Sequence, residues 1–157
     1  MITKPFVGVL LMLCATAASA SPAGNACVTV DQGWARLPPN QAVPMTAGYG
    51  VIHNGCREAI VITGASSPRF GAVSLHETTI VDGVSRMRAI PRLPVAPGAR
   101  AALTPGGLHL MLMQGKGALE EGQAVPLRLQ LEGGGEAATM LTVRRTAASG
   151  GPTHGGH

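Results

Sequence analysis

Short alternating runs of apolar and polar residues, separated by turn residues, recur along this chain and restrict what it can fold into. The 157 residues include 22 glycines and 12 prolines, and the turn segments include "NGC", "PGG" and "EGGGE". Many short strands joined by such turns are typical of antiparallel sandwiches and barrels. We therefore predict a single all-β domain. The expected strands are 26–30, 47–54, 59–66, 73–80, 83–90, 99–105, 108–113, 124–132 and 137–146.

The first twenty residues have the pattern of a secretory leader. Lys4 precedes the apolar run "FVGVLLMLC", and "ASA" at 18–20 matches a small-residue cleavage site. Cys14 suggests a lipoprotein anchor, but it follows Leu13, where such sites usually have Gly, Ala or Ser. We expect cleavage after Ala20, export to the periplasm, a domain over 21–146 and a disordered Gly/His tail over 147–157. No later segment is long and apolar enough to span a membrane.

Charge and composition argue against nucleic-acid binding and against catalysis. The chain has 12 Lys and Arg against 8 Asp and Glu, without a basic cluster, and a single Trp and a single Tyr are present for stacking on bases. The acidic residues form no paired motif, and neither a phosphate loop nor a recognisable Ser/His/Asp arrangement is found. We therefore expect a protein that neither binds nucleic acid nor acts as an enzyme. We also expect it to be a monomer.

The segment "LHLMLM", Leu108 to Met113, alternates without a break. Residues two apart in a strand share a face, so one face is all leucine. The other face carries His109, Met111 and Met113, where a half-buried strand would normally present polar residues to water. The leucines already provide a core face, which leaves the imidazole and the thioethers available for another role.

A second His/Met pair follows from a predicted hairpin. Asp82-Gly83 lies between two alternating runs, and Asp-Gly is a strong signal for a two-residue type I′ turn. This turn sets the register, so that Thr78 faces Met87 and His76 becomes a diagonal neighbour of Met87 on the same face.

Two segments thus each present one imidazole and one thioether on a strand face. Nitrogen and neutral sulfur form a soft donor set that suits Cu(I) and does not suit Mg, Ca or Mn. Zn(II) favours thiolate, imidazole or carboxylate ligands instead. The donor types therefore indicate a site for Cu(I). The alternative is that the methionines are core filler and the histidines structural.

The spacing His76, ten residues, Met87, twenty-one residues, His109, one residue, Met111 resembles the H-x10-M-x21-H-x-M signature of periplasmic copper chaperones of the PCuAC family. "LHETTIVDGVSRMR", "GWAR", "AGYGVIHNG" and "ITGASSP" are also similar to segments of that family, so the resemblance runs from about 27 to 145. It implies a cupredoxin-like β-sandwich or barrel that binds one Cu(I) through these four residues. It also implies delivery of the ion to the dinuclear copper centre of cytochrome c oxidase, by contact with its copper-bearing subunit or with another copper chaperone.

One position departs from the family pattern. Many members have Met directly after the first His, whereas this chain has Glu77. In the predicted hairpin register Glu77 lies on the opposite face and faces Arg88, so we expect a cross-strand ion pair.

Further donors are candidates for accessory roles. Met113 is either a spare thioether or packing, and packing is the favoured interpretation; Met45, in the Pro-rich segment, is not assigned by the sequence. His154 and His157 in the tail are candidate ligands for Cu(II), the alternative being that they bind nothing.

Cys27 and Cys56 are the cysteines outside the leader. In an exported protein such a pair most often forms a disulfide, and a pair of metal-binding thiols is the alternative. Three other functions remain open for the domain: an exported copper-tolerance or storage protein, a blue-copper-like electron carrier, and a sandwich-type interaction module that binds no metal. A blue-copper site needs a cysteine thiolate, and neither cysteine lies near the His/Met segments.

Overall fold

A computed structural model describes residues 25–145, which form ten β-strands. These are β1 (Val28–Arg36), β2 (Met45–Asn54), β3 (Ile60–Ser66), β4 (Phe70–Val81), β5 (Val84–Ala89), β6 (Leu93–Val95), β7 (Arg100–Leu103), β8 (Leu108–Gly115), β9 (Ala124–Leu131) and β10 (Glu136–Arg144). The predicted all-β class is confirmed. Across this range no helix has the length and apolar character needed to span a membrane. The predicted leader and the Gly/His tail lie outside the described residues.

Seven strands close into a barrel. Hydrogen-bonded neighbours follow the order β4–β8–β2–β1–β10–β9–β3, and a pairing of β3 with β4 at Ala65 and Val73 completes the ring. β5, β6 and β7 lie outside the ring and pair with β4, β3 and β2. The pairing of β1 with β10 is parallel, whereas the other pairings of the described strands are antiparallel. One parallel pair is required because strand directions cannot alternate all the way around a ring with an odd number of strands.

The inward faces of the ring strands form the core. Leu110 and Leu112 are fully buried and Leu108 is partly buried, so the leucine side of "LHLMLM" faces inward as predicted. Other fully or almost fully buried core residues are Ile52, Ile62, Leu75, Val125, Leu127, Leu129, Leu141 and Val143. His109, Met111 and Met113 consequently project from the outer side of β8.

The hairpin between β4 and β5 has the predicted register. Asp82 and Gly83 have φ values of 52° and 75°, as a type I′ turn requires, and Thr78 pairs with Met87. His76 and Glu77, which pair with Ala89 and Arg88 on β5, also pair with β8, and the rest of the hairpin extends past the barrel. The whole of β5 is exposed.

One strand, β6, was not predicted from the sequence, and several predicted strands differ in their bounds, β1 the most. β6 lies in "LPVAPG", which has the composition of a turn, but Val95 pairs with Ile60 and is buried. Pro94 is tolerated there because β6 is an edge strand. β1 continues to Arg36 through an irregularity between Asp31 and Trp34, which the alternation of the sequence does not reveal.

Cys27 and Cys56 are joined by a disulfide, with their Cα atoms 5.0 Å apart. The bond lies where β1 begins and β2 ends, at the end of β2 remote from Met45. Buried Asn54 reinforces this end, because its amide Nδ2 donates to the carbonyls of Val95 and Ala96 while its Oδ1 accepts the backbone N–H of Cys56.

Candidate metal centre

His76 and His109 lie directly opposite each other on the neighbouring strands β4 and β8. Their ring centroids are 6.1 Å apart, and both side chains lie on the outer face of the barrel. Thirty-two residues separate them in sequence, and the β4–β8 pairing is what brings the two predicted imidazole ligands together.

The ring of His109 is held in one orientation by a backbone carbonyl. Its Nδ1 lies 2.9 Å from the carbonyl oxygen of Gly107, in the "PGG" turn, and donates to it. The same oxygen accepts the backbone N–H of Thr78 at 3.1 Å, which ties the turn to β4. With its proton on Nδ1, the ring keeps a lone pair on Nε2 and can use it to coordinate a metal. His109 is only 5% exposed, so this orientation is also fixed by packing.

His76 has one nitrogen paired and one unpaired. Its Nε2 lies 2.9 Å from the hydroxyl of Ser74, whereas its buried Nδ1 has no hydrogen-bond partner within residues 25–145. Burial lowers the pKa of His76 below its usual value, and the neighbouring His109 lowers it further when charged. A lowered pKa keeps the imidazole neutral, the form in which it coordinates metals.

The two thioethers predicted as ligands lie on the same face. Met87 pairs with Thr78 on β4, and Met111 pairs with Ser74, so each is next to an imidazole. Met87 is 52% exposed and Met111 is partly buried. Together with His109 they line an open groove of about 390 Å³. The structure thus brings all four predicted ligands onto one surface across β5, β4 and β8.

The donors on this surface fit a soft monovalent cation. Among residues 25–145, no three side chains from His, Cys, Asp and Glu come together as a metal site. Two imidazoles and two thioethers provide neutral N and S donors, which favour Cu(I) over hard divalent ions.

Two aromatic side chains beside the groove, Trp34 and Tyr49, were not predicted from the sequence to lie there. Tyr49 lies with its ring centroid 6.4 Å from His109 and 4.6 Å from Trp34, and both aromatic residues are buried. The guanidinium of Arg36 lies 5.4 Å from the Tyr49 ring centroid, over its face. Burial raises the pKa of Tyr49, and the charge of Arg36 partly opposes that rise. The sequence indicates only that Trp34 and Arg36, two residues apart in "GWAR", lie on one face of a strand. No local sequence pattern predicts that either residue contacts Tyr49.

The other candidate residues are distributed as follows. Met113 pairs with Ala72 on β4 and with Met45 on β2, and it is partly buried. Met45 is 45% exposed and lines the same groove as Met87 and His109. His154 and His157 lie outside the described residues.

The predicted ion pair of the hairpin and the two cysteines lie away from the groove. The carboxylate of Glu77 accepts from Arg88 at 2.6 Å, on the face of the hairpin opposite the groove, so the predicted ion pair is confirmed. The disulfide lies at the remote end of β2, and its two sulfurs are not donors at the groove.

Comparison with known protein families gives a match over most of the described chain. The family model described as LpqE-like, a lipoprotein family, matches residues 28–143. A protein of Leifsonia xyli subsp. xyli, whose name also describes a lipoprotein, is 30% identical over 118 residues, which cover 74% of this chain and 69% of that relative.

Solved structures share the fold. The copper-bound PCuAC domain from PmoF2 superimposes with a TM-score of 0.61 at 20% identity, covering 76% of this chain and 94% of that domain. The Cu(I) form of DR1885 from Deinococcus radiodurans has a TM-score of 0.58 at 29% identity, covering 84% of this chain and 89% of that one. The predicted cupredoxin-like architecture and the resemblance to PCuAC domains are confirmed.

Proposed function

The chain belongs to the LpqE-like family, and from this premise we propose that it is an exported copper chaperone that holds one Cu(I) and passes it to another copper protein. The proposed ligands are His76, Met87, His109 and Met111. Copper-bound structures of PCuAC domains and of DR1885, which share the fold, support the choice of metal, and the Cu(I) form of DR1885 supports its oxidation state.

The facing pair of imidazoles is the observation that carries the proposal. His109 has Nδ1 engaged by Gly107, and His76 has Nε2 next to Ser74, so each ring retains one nitrogen for a metal. A buried imidazole nitrogen without a hydrogen-bond partner costs free energy, and a bound cation would remove that cost. A purely structural pair of histidines would be expected to satisfy both nitrogens.

The same site suits transfer as well as binding. Neutral thioethers are weak ligands, and Met87 is half exposed, so a recipient can approach from solvent. A recipient's thiolates and imidazoles would replace the thioethers one at a time, without any change in the oxidation state of copper. We propose that the recipient is the copper-bearing subunit of cytochrome c oxidase, at its dinuclear centre, or another copper chaperone on the route to it.

Copper tolerance or storage is the main alternative use of the same site. Mixing Cu(I)-loaded protein with the apo copper domain of the oxidase subunit tests the preferred recipient. We expect the recipient to take up two equivalents of Cu(I), which separation of the two proteins followed by metal analysis measures. Retention of copper by the chain in the presence of this recipient would favour storage.

The blue-copper alternative lacks a ligand among the described residues. Cys27 and Cys56 are both engaged in the disulfide, so neither provides the thiolate that such a site requires. We expect the Cu(II)-treated protein to lack the intense visible absorption of a blue-copper centre.

The proposed stoichiometry and ligands are tested by competition for Cu(I) with a coloured chelator. Wild type and a chain ending at Ser149 are expected to retain one equivalent, and His76→Gln is expected to lose most of its affinity. His53→Gln is the matched control, because His53 pairs with Thr29 and Arg100 on β1 and β7, away from the groove. Equal affinity of His76→Gln and His53→Gln would contradict the proposed site.

The tail is proposed to bind Cu(II) separately through His154 and His157. Imidazole nitrogen without thioether sulfur favours the divalent ion, so truncation at Ser149 is expected to remove Cu(II) binding and leave Cu(I) binding unchanged. Loss of Cu(I) with the tail would instead assign the copper to these two histidines.

Export is supported by the lipoprotein names of the family and of the relative. We propose cleavage after Ala20 and a periplasmic location, with lipid attachment at Cys14 as the alternative. The mass of the exported protein distinguishes them, because cleavage after Ala20 yields a chain that begins at Ser21 and carries no lipid.

A further inference from the structure

The surface around the groove carries two methionines besides the proposed ligands Met87 and Met111, namely Met45 and Met113. Met45, the first residue of β2, pairs directly with Met113 on β8, and the next pair on that face is Ala47 with Met111. Directly paired residues have Cβ atoms about 5 Å apart, and diagonal pairs remain within reach of long side chains. Met45, Met111 and Met113 therefore form one patch, which we call the thioether patch, and Ala47 leaves space in its middle.

The thioether patch adjoins the proposed centre and is accessible at Met45, whereas Met111 and Met113 are partly buried. Met45 is 45% exposed and lines the same groove as Met87, His109 and Met111. Its exposure means that core packing does not account for a long apolar side chain at this position. Val43, exposed to 46%, continues the apolar surface on the side of the Pro-rich segment.

We propose that the thioether patch is a second Cu(I) position, made of Met45, Met111 and Met113, through which the ion enters and leaves the His/Met centre. This inference rests on the proposed function. Met111 belongs to both positions, so the ion moves by exchanging the imidazoles and Met87 for Met45 and Met113 while Met111 stays bound. Copper remains Cu(I) throughout, and no proton or electron is transferred.

The second position is the weaker of the two for physical reasons. Thioethers are poorer donors than imidazole, and the patch provides no nitrogen. Arg36 lines the same groove, and its positive charge opposes a cation there. A weak outer position next to a stronger inner one suits the passage of an ion rather than its storage.

The test uses Ag(I), a soft monovalent probe, and NMR of methionine methyl groups in the purified protein. In the variant His76→Gln/His109→Gln, which lacks the imidazoles, Ag(I) is expected to shift the methyl signals of Met45, Met111 and Met113. Adding Met45→Leu to this variant is expected to weaken Ag(I) binding by at least about tenfold, the loss typical of removing a group that supports a metal site. Met140 is the internal control, since it is 53% exposed on β10, outside the groove, and its signal should not move.

The outcomes separate this inference from the proposed function. Binding by wild type together with no Ag(I) binding by His76→Gln/His109→Gln would overturn the second position and leave the His/Met centre intact. No binding of Cu(I) or Ag(I) by wild type would overturn both. Ag(I) binding that is unaffected by Met45→Leu would also overturn the second position. If the double variant does not fold, wild type replaces it: the first equivalent should shift Met87 and Met111, and only excess Ag(I) should shift Met45 and Met113.

A kinetic measurement tests whether Cu(I) leaves the His/Met centre through the thioether patch. Release of Cu(I) from wild type to a chelator is expected to be faster than release from Met45→Leu, with an equilibrium affinity that differs less than about twofold, because Met45 is not a ligand of the inner centre. The control is Met140→Leu, which should behave as wild type. Equal release rates for all three proteins would show that the ion leaves without visiting the patch.

Discussion

Replacing Met87 by leucine removes a proposed ligand with almost no change in packing. Met87 is 52% exposed on a strand whose residues are all exposed, and leucine has a similar volume. Surface substitutions of this kind change the free energy of unfolding by less than about 0.5 kcal/mol. The stability of the apo protein should therefore be nearly unchanged.

The effect on copper should be much larger. Loss of groups that only support a metal site costs about 10- to 100-fold in affinity, so loss of one of four direct ligands should cost about 100-fold or more. A 100-fold loss equals about 2.8 kcal/mol of binding free energy. This exceeds the expected packing effect about fivefold, so the two contributions can be measured separately.

Urea unfolding with and without Cu(I) measures both quantities in one experiment. At a free Cu(I) concentration 100 times the wild-type Kd, wild type should gain about 2.7 kcal/mol of stability. A variant that binds 100-fold more weakly should gain only about 0.4 kcal/mol under the same conditions. The fluorescence of Trp34, the single tryptophan of the chain and buried in the native state, reports unfolding.

Met140→Leu is the matched control, because it makes the same replacement at a methionine that is 53% exposed outside the groove. It should gain as much stability from Cu(I) as wild type. An equal gain for Met87→Leu would refute the assignment of Met87 as a ligand. A fall in apo stability of more than about 1 kcal/mol would instead refute the argument that Met87 contributes little to packing.

Three further predictions concern stability. Replacing both Cys27 and Cys56 by alanine should lower the free energy of unfolding by roughly 3.5 kcal/mol, because the disulfide closes a loop with a sequence separation of 29, and urea unfolding measures the loss. Gly83→Ala should destabilise the hairpin by about 1 kcal/mol, since Gly83 has a φ of 75°, and faster amide exchange in β5 would report it. Because burial lowers the pKa of His76 in the folded state, folding releases protons, so apo stability should be full above about pH 6.5 and fall as the pH drops through the folded-state pKa. Urea midpoints over this range should fall less for His76→Gln, and parallel pH dependence of the two proteins would contradict the assignment.

Local features were predictable where neighbouring residues determine the geometry. Asp82-Gly83 needs positive φ at two successive positions, which only a few turn types allow, and this turn determines the pairing of Thr78 with Met87. The alternation of "LHLMLM" decides which side of β8 is buried, because successive side chains point to opposite faces. The sequence by itself therefore determined the all-β class, the hairpin register and the leucine face.

Contacts between distant segments were decided by the tertiary structure. His76 and His109 become neighbours only when β4 pairs with β8. The spacing of the two histidines and two methionines in the sequence predicts four ligands, but it does not predict that strand pairing. Met45 and Tyr49 reach the groove because β2 pairs with β8. No local sequence pattern predicts which strand another strand will pair with. β6 forms because Val95 finds a buried position next to Ile60, which overrides the turn-like composition of its segment. Short-range geometry is determined by adjacent residues, whereas strand pairing depends on the free energy of the whole barrel.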